Sequence, residues 1–172
     1  MRTPLDETIR RALGRDLGEW DVEGAGAASF ARFQAAFPWV VPEALDDNDH
    51  GFESHLELTV FWQDEPGGPL REVRAADCGY VVFDVQSAAG SLVLYLNVFT
   101  DPLWLLTPSA NAHVPDAELI SRPQATHANR QRLSASLRAW EQSTGAEIVG
   151  WRSERLEAGI ERYGVAADAR AR

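Results

Sequence analysis

The stretch GYVVFDVQSAAGSLVLYLNVFT, residues 79–100, is the most β-like part of the chain and decides its fold class. Two runs rich in Val, Leu, Phe and Tyr, 79–86 and 91–100, flank a small-residue link of hairpin length. Residues 52–63 alternate apolar and polar side chains, and a weaker strand is expected at 70–75. Because short turns rather than helices connect these strands, the sequence predicts antiparallel pairing.

Helical patterns are found on both sides of these strands. Residues 3–17 combine a capping-box-like start with apolar residues at helical spacing, and a short second helix ends before Pro38. After the strands, helices are predicted at 126–144 and 156–163, with a short edge strand at 148–151 between them. The predicted fold is therefore α+β, an antiparallel meander of about four to five strands with N-terminal and C-terminal helices packed on its aliphatic face.

The chain length suits a single domain, predicted to cover 1–164, with 165–172 as a flexible C-terminal tail. No apolar run approaches the roughly 20 residues that cross a bilayer. The first residues also lack the basic-then-apolar order of a secretory signal. We therefore expect a cytoplasmic protein that makes no membrane contact.

The reactive side chains exclude several enzyme classes. All sixteen lysine-or-arginine residues are arginine, a bias typical of high-G+C bacterial genomes, and Cys78 is the one cysteine. A chain without lysine forms no Schiff base and has no phosphate-loop lysine. A single cysteine excludes a CxxC redox pair, a cysteine-rich zinc site and an intrachain disulfide. The sequence predicts no cofactor and no catalytic residue.

The formal net charge of −10 argues against general nucleic-acid binding, which requires a basic surface. It suits a basic protein partner, such as a nuclease whose DNA-binding surface has to be blocked. Acidity also serves solubility alone, and this simpler interpretation stays open.

Two partial motifs are weak. Residues 24–29, GAGAAS, approach the dinucleotide-binding fingerprint, but Ser29 replaces the third glycine and the preceding residues 19–23 are too polar for a buried parallel strand. Residues 46–57 match part of an EF-hand calcium loop, but strand-like residues follow where a helix is needed. The four histidines form no HxH or HExxH pair, so no metal site is predicted.

One face of the predicted sheet mixes aromatic rings with carboxylates, a histidine and an amide. Tyrosines on such a face add contact area and hydrogen bonds at small entropic cost. Trp104, inside an apolar stretch bracketed by prolines, either plugs the core or anchors a partner or dimer contact. The predicted protein interface comprises His55, Glu57, Tyr80, Asp84, Tyr95, Asn97, Phe99 and Trp104.

These observations favour a non-catalytic, acidic protein-binding module: an immunity or antitoxin-like protein, a chaperone-like protein or a regulatory adaptor. Its partner is expected to be a basic protein or a second copy of the chain. The alternative is a small-molecule-binding domain or minor hydrolase that uses His55, Glu57 and Asp84 in a pocket over the sheet. That alternative requires the three side chains to meet.

Overall fold

The computed structural model describes residues 16–24, 30–48, 51–65, 67–84, 91–97, 123–153 and 156–171. These residues form a mixed α+β fold with antiparallel sheets. The strands within them are β1 (Asp16–Glu23), β2 (Val40–Asn48), β3 (Gly51–Trp62), β4 (Arg71–Asp84), β5 (Ser91–Asn97), β6 (Glu147–Arg152), β7 (Leu156–Glu161) and β8 (Gly164–Ala171). The helices are α1 (Phe30–Ala36) and α2 (Pro123–Thr144).

A six-stranded sheet has the order β2-β3-β4-β5-β1-β6, and β7 pairs with β8 in a separate hairpin. The two strands predicted at 70–75 and 79–86 are one strand, β4. Leu56 of β3 pairs with Gly79 and Leu58 pairs with Ala75, so the residues between Ala75 and Gly79 are accommodated as an irregularity in the ladder. A β-bulge of this kind absorbs extra residues without ending the strand, although the sequence there suggests a break.

Strand β1 corrects the prediction for the N-terminal region. The spacing predicts Leu17 in a helix, and the residues after it are too polar for a buried parallel strand, yet Asp16–Glu23 forms an antiparallel strand that pairs with both β5 and β6. Trp20 and Val22 are buried in the core, whereas Asp21 is half-buried and Glu23 is exposed. Antiparallel strands commonly bury one face only, so alternating acidic residues are compatible with a central position. The rest of the predicted first helix lies outside the described residues.

The predicted last helix at 156–163 is replaced by a strand and a turn, and residues 165–171 of the predicted tail lie in a second strand. Residues 156–161 form β7, and Gly164–Ala171 forms β8, its antiparallel partner. Arg162 and Tyr163 make a two-residue turn, and Gly164 has a φ of 123°. Leu156, Ile160 and Tyr163 have helical spacing, but hairpin pairing satisfies the backbone in this segment and overrides that local pattern.

The core lies between the six-stranded sheet and both described helices. Phe33 of α1 stacks on Phe37 with ring centroids 4.8 Å apart and meets Trp140 of α2 edge-on at 5.7 Å. Leu133 and Leu137 of α2 belong to the same cluster, as their spacing predicts. The largest fully buried side chains are those of Trp20, Trp140, Phe33, Phe37, Leu56 and Leu58.

Helix α2 also completes one edge of β3. Strand β2 begins at Val40, opposite Leu58, so it does not cover the end of β3. There the Asn129 side chain accepts a hydrogen bond from the Phe61 N–H at 2.8 Å and donates one to the Phe61 carbonyl at 2.9 Å. Buried backbone groups need such partners, so this amide substitutes for a missing strand.

Candidate functional site

Three of the eight predicted interface residues are neighbours in the sheet. His55 of β3 pairs with Tyr80 of β4, and Tyr80 pairs with Tyr95 of β5. Directly opposed residues in an antiparallel ladder have Cβ atoms about 4.5–5.5 Å apart and share a face. We call these three register positions the tyrosine row. His55 is exposed, while Leu56 beside it is buried in the core, so His55 points away from the helices.

The other predicted interface residues are spread around this row. Asp84 pairs with Gly51 on one side and with Ser91 on the other. Asn97 pairs with Asp16. Glu57 is half-buried and forms an ion pair with Arg74 at 3.4 Å. Phe99 and Trp104 lie outside the described residues.

The register weighs against the proposed pocket of His55, Glu57 and Asp84. Asp84 is opposite Gly51, four residues before His55 on β3, which separates the two backbone positions by about 13 Å along the strand. A single pocket that used all three residues would have to span this distance. This spacing disfavours the hydrolase alternative.

Sequence reasoning missed the acidic strand next to the tyrosine row. In β1, Glu19 pairs with Tyr95, Asp21 with Val93 and Glu23 with Ser91. Because Trp20 and Val22 point into the core, these three acidic positions fall on the opposite side of the sheet. We call them the acidic strip. Their period-two spacing is visible in the sequence once residues 19–23 are taken as a strand.

The chain around Asp21 leaves room for its carboxylate. Asp21 pairs with Gly150 of β6, and a Cβ atom added at Gly150 would lie 2.7 Å from Asp21 Oδ2. Arg152 approaches the same carboxylate oxygen at 3.6 Å from the edge strand. Glycine at 150 thus allows an acidic side chain to lie across the neighbouring strand. The carboxylate of Asp21 is thereby held next to β6, the edge strand of the sheet.

A cleft of about 560 Å³ opens where α1, α2 and the end of β3 meet. Most of its wall consists of small or apolar side chains, with Trp39 buried in it and donating its indole N–H to Ser136 Oγ at 2.8 Å. Trp39 belongs to the core cluster. The residues that line the cleft are Ala35, Ala36, Pro38, Trp39, Thr59, Glu72, Arg132, Ala135, Ser136 and Ala139.

Arg132 is the cation of this cleft. Its guanidinium lies over the Phe61 ring, 3.8 Å from the centroid, and donates to the Thr59 carbonyl at 2.7 Å. It also donates to Glu72 Oε1 at 2.5 Å. The Arg132 side chain is 18% exposed, whereas that of Glu72 is 55% exposed. The arginine is therefore fixed by the fold, while its carboxylate partner reaches in from the solvent.

A second charged cluster connects α2 with β6 and the β7–β8 hairpin. Glu141 accepts hydrogen bonds from the Ile148 N–H at 2.7 Å, from the Tyr163 hydroxyl at 2.5 Å and from Arg162 at 2.7 Å. Burial acts to raise the pKa of Glu141, but these donors together lower that pKa below its usual value. The hydrogen bond to Glu141, with burial, raises the pKa of Tyr163. Glu141 thus joins α2 to the backbone of β6 and to the β7–β8 turn, so the cluster functions as a clamp between these elements.

The acidic 46–57 segment is not an EF-hand loop. It forms the β2–β3 hairpin, in which Asn48 pairs with Gly51, and no helix flanks it on either side. Within the part of the chain that the structure describes, no group of three or more His, Cys, Asp and Glu residues is placed to hold a metal ion. Among the same residues, no helix has the length and apolar character that a bilayer crossing requires.

Comparison with protein-family models, with curated proteins and with solved structures gave no match.

Proposed function

We propose that this protein is a non-catalytic, acidic protein-binding module of the bacterial cytoplasm that docks a basic partner on the sheet face opposite the helices. The observation that carries the proposal is the register of β1 with β5, which places the acidic strip directly beside the tyrosine row. Aromatic and acidic positions thus share one continuous surface across neighbouring strands.

The shape of this surface favours a macromolecular partner. Val82 and Val93 pair with each other in the row next to the tyrosine row, Val93 also pairs with Asp21, and both valines are half-buried. Half-buried apolar positions beside charged and aromatic ones resemble a protein interface, which has an apolar centre and a polar rim. The acid–base positions of this surface are spread over about 13 Å along the strands, which suits broad contact rather than chemistry on a small substrate.

Charge supports a basic partner. The acidic strip belongs to a chain whose formal net charge is −10. Arg152, on the neighbouring strand, forms an ion pair with Asp21 of the strip. Complementary potentials steer association and select the partner more than they raise affinity. An immunity or antitoxin-like protein, a chaperone-like protein and a regulatory adaptor all fit this chemistry. A second copy of the chain is less suited to it, because two acidic strips repel each other.

The test is affinity purification of the tagged protein from its native host at low and high salt, with bound proteins identified by mass spectrometry. We expect a stoichiometric basic protein that is weakened by salt. The double variant Asp21→Asn, Glu23→Gln should lose it, and the matched control Glu65→Gln, an exposed acid in the β3–β4 turn, should retain it.

Two results would reject the proposal. One is a protein that elutes alone or only with itself at both salt concentrations. The other is a partner that binds the acidic-strip variant as well as it binds the control.

A further inference from the structure

We propose that the cleft between α1, α2 and the end of β3 is a binding site for an apolar molecule that carries one carboxylate, an alkyl or aryl carboxylic acid. Arg132 would be its counter-ion, and Glu72 would be a carboxylate of the protein that occupies the same place in the absence of ligand. This site does not depend on the interface proposed above, since none of the acidic-strip or tyrosine-row residues lines the cleft.

The position of Arg132 is set before any ligand arrives. Its guanidinium is held by the Thr59 carbonyl and stacks on Phe61, so its orientation does not depend on Glu72 alone. A guanidinium has five N–H donors in a rigid plane that matches a carboxylate. The Arg132 guanidinium donates to the Thr59 carbonyl and to Glu72 Oε1. The arginine, whose side chain is 18% exposed, is therefore a preorganised anion-binding group in the wall of the cleft.

The difference in exposure between the two ion-pair partners determines the sign of the ligand's charge. Glu72 is 55% exposed and can turn toward water at little cost, whereas Arg132 is 18% exposed and would be left buried without a counter-ion. A cationic ligand would have to take Glu72 away from Arg132. An anionic ligand takes the place of Glu72 and leaves the arginine paired.

The rest of the cleft provides an apolar surface. Four alanines from the two helices, Ala35, Ala36, Ala135 and Ala139, leave space that larger side chains would fill. The volume of about 560 Å³ lies within the range of about 300–1,000 Å³ that small-molecule sites occupy. Since Trp39 already donates its indole N–H to Ser136, its ring offers mainly apolar contact.

The test is isothermal titration calorimetry of the full chain with decanoate and 4-phenylbutanoate, and with 4-phenylbutanamide as the neutral control. We expect one or both carboxylates to bind and the amide to give no heat. Glu72→Gln removes the competing carboxylate, so it should tighten binding by up to about fivefold, the equivalent of one exposed ion pair.

Two variants fill the cleft while Arg132 stays intact. Ala135→Leu and Ala35→Leu, both at exposed helical positions that line the cleft, should weaken binding by about five- to a hundredfold because the added side chain occupies the ligand's space. Gln131→Leu adds the same side chain to α2 at an exposed position outside the cleft and should bind like the parent. Circular dichroism melts identify which of the two filled variants are folded and can be compared.

The proposal is overturned if neither carboxylate binds the parent chain or Glu72→Gln, or if the amide binds equally well. It is also overturned if Glu72→Gln weakens binding, or if both folded cleft-filling variants bind like Gln131→Leu.

Discussion

The carboxylate of Glu141 should be one of the strongest single stabilising groups outside the apolar core. Its side chain is only 13% exposed, and it connects three parts of the fold: α2, the backbone of β6 and the β7–β8 turn. The informative perturbation is Glu141→Ala, which removes both carboxylate oxygens of Glu141 at once without adding bulk.

The expected loss can be worked out bond by bond. Ile148 is 1% exposed, so its N–H would be left without a partner, at a cost of about 1–3 kcal/mol. Arg162 is 35% exposed, so water can solvate its guanidinium in the variant. The lost ion pair should therefore add no more than about 1 kcal/mol to the destabilisation. The Tyr163 hydroxyl adds about 0.5–1.5 kcal/mol. Because these costs overlap, we expect a total destabilisation of about 2–4 kcal/mol.

Urea unfolding followed by circular dichroism measures this loss as a shift in midpoint at constant slope. The matched control is Glu147→Ala, which removes a carboxylate that is 66% exposed and also contacts Arg162, at 3.3 Å. That variant should lose less than about 0.5 kcal/mol. The reasoning is refuted if Glu141→Ala destabilises the protein by less than about 1 kcal/mol, or by no more than Glu147→Ala.

Three further predictions concern pH, the edge of β3 and the acidic strip. Because the pKa of Glu141 is lowered on folding, its contribution is present above the unfolded pKa of about 4.3 and is lost as pH falls through the lower folded value. The stability difference between the parent and Glu141→Gln, measured by urea unfolding, should thus shrink in acid, and a constant difference would contradict this. Asn129→Ala should cost about 2–3 kcal/mol in the same assay, since both backbone groups of Phe61 lose their partner; a loss below about 0.5 kcal/mol would mean that water replaces the amide. Gly150→Ala should cost about 0.5–1.5 kcal/mol by pushing the Asp21 side chain away from its rotamer. Its cost should be smaller in an Asp21→Ala background, and equal costs in the two backgrounds would show that the contact is relieved in another way.

The fold elements that could be predicted are those with strong local periodicity. Leu133, Leu137 and Trp140 recur at helical spacing, and they lie buried along α2. The alternation of residues 52–63 corresponds to β3, and the apolar residues around Ile148 correspond to an edge strand. In these segments the local pattern and the tertiary environment favour the same structure, so a short window of sequence suffices.

The candidate sites could be predicted only in part. His55, Tyr80 and Tyr95 were singled out by alternation, and the register makes them neighbours. The acidic strip was missed because residues 19–23 were compared with a buried parallel strand, although their alternation suits an antiparallel one. Arg132 and Glu72 carry no motif, since their pairing depends on how α2 crosses the end of β3.

Local residue order thus specifies the antiparallel α+β class, the apolar stripe of α2 and the acidity of the chain, because periodicity and charge are properties of short segments. Long-range contacts specify the rest. The indole of Trp20 donates to the carbonyl of Glu161, 141 residues away. This hydrogen bond helps to stabilise the β7–β8 hairpin, although the residue spacing of that segment suggests a helix. The clamp at Glu141 and the cleft at Arg132 likewise join residues far apart in the chain, and such pairs form only when burial of the shared core offsets the entropy of closing long loops.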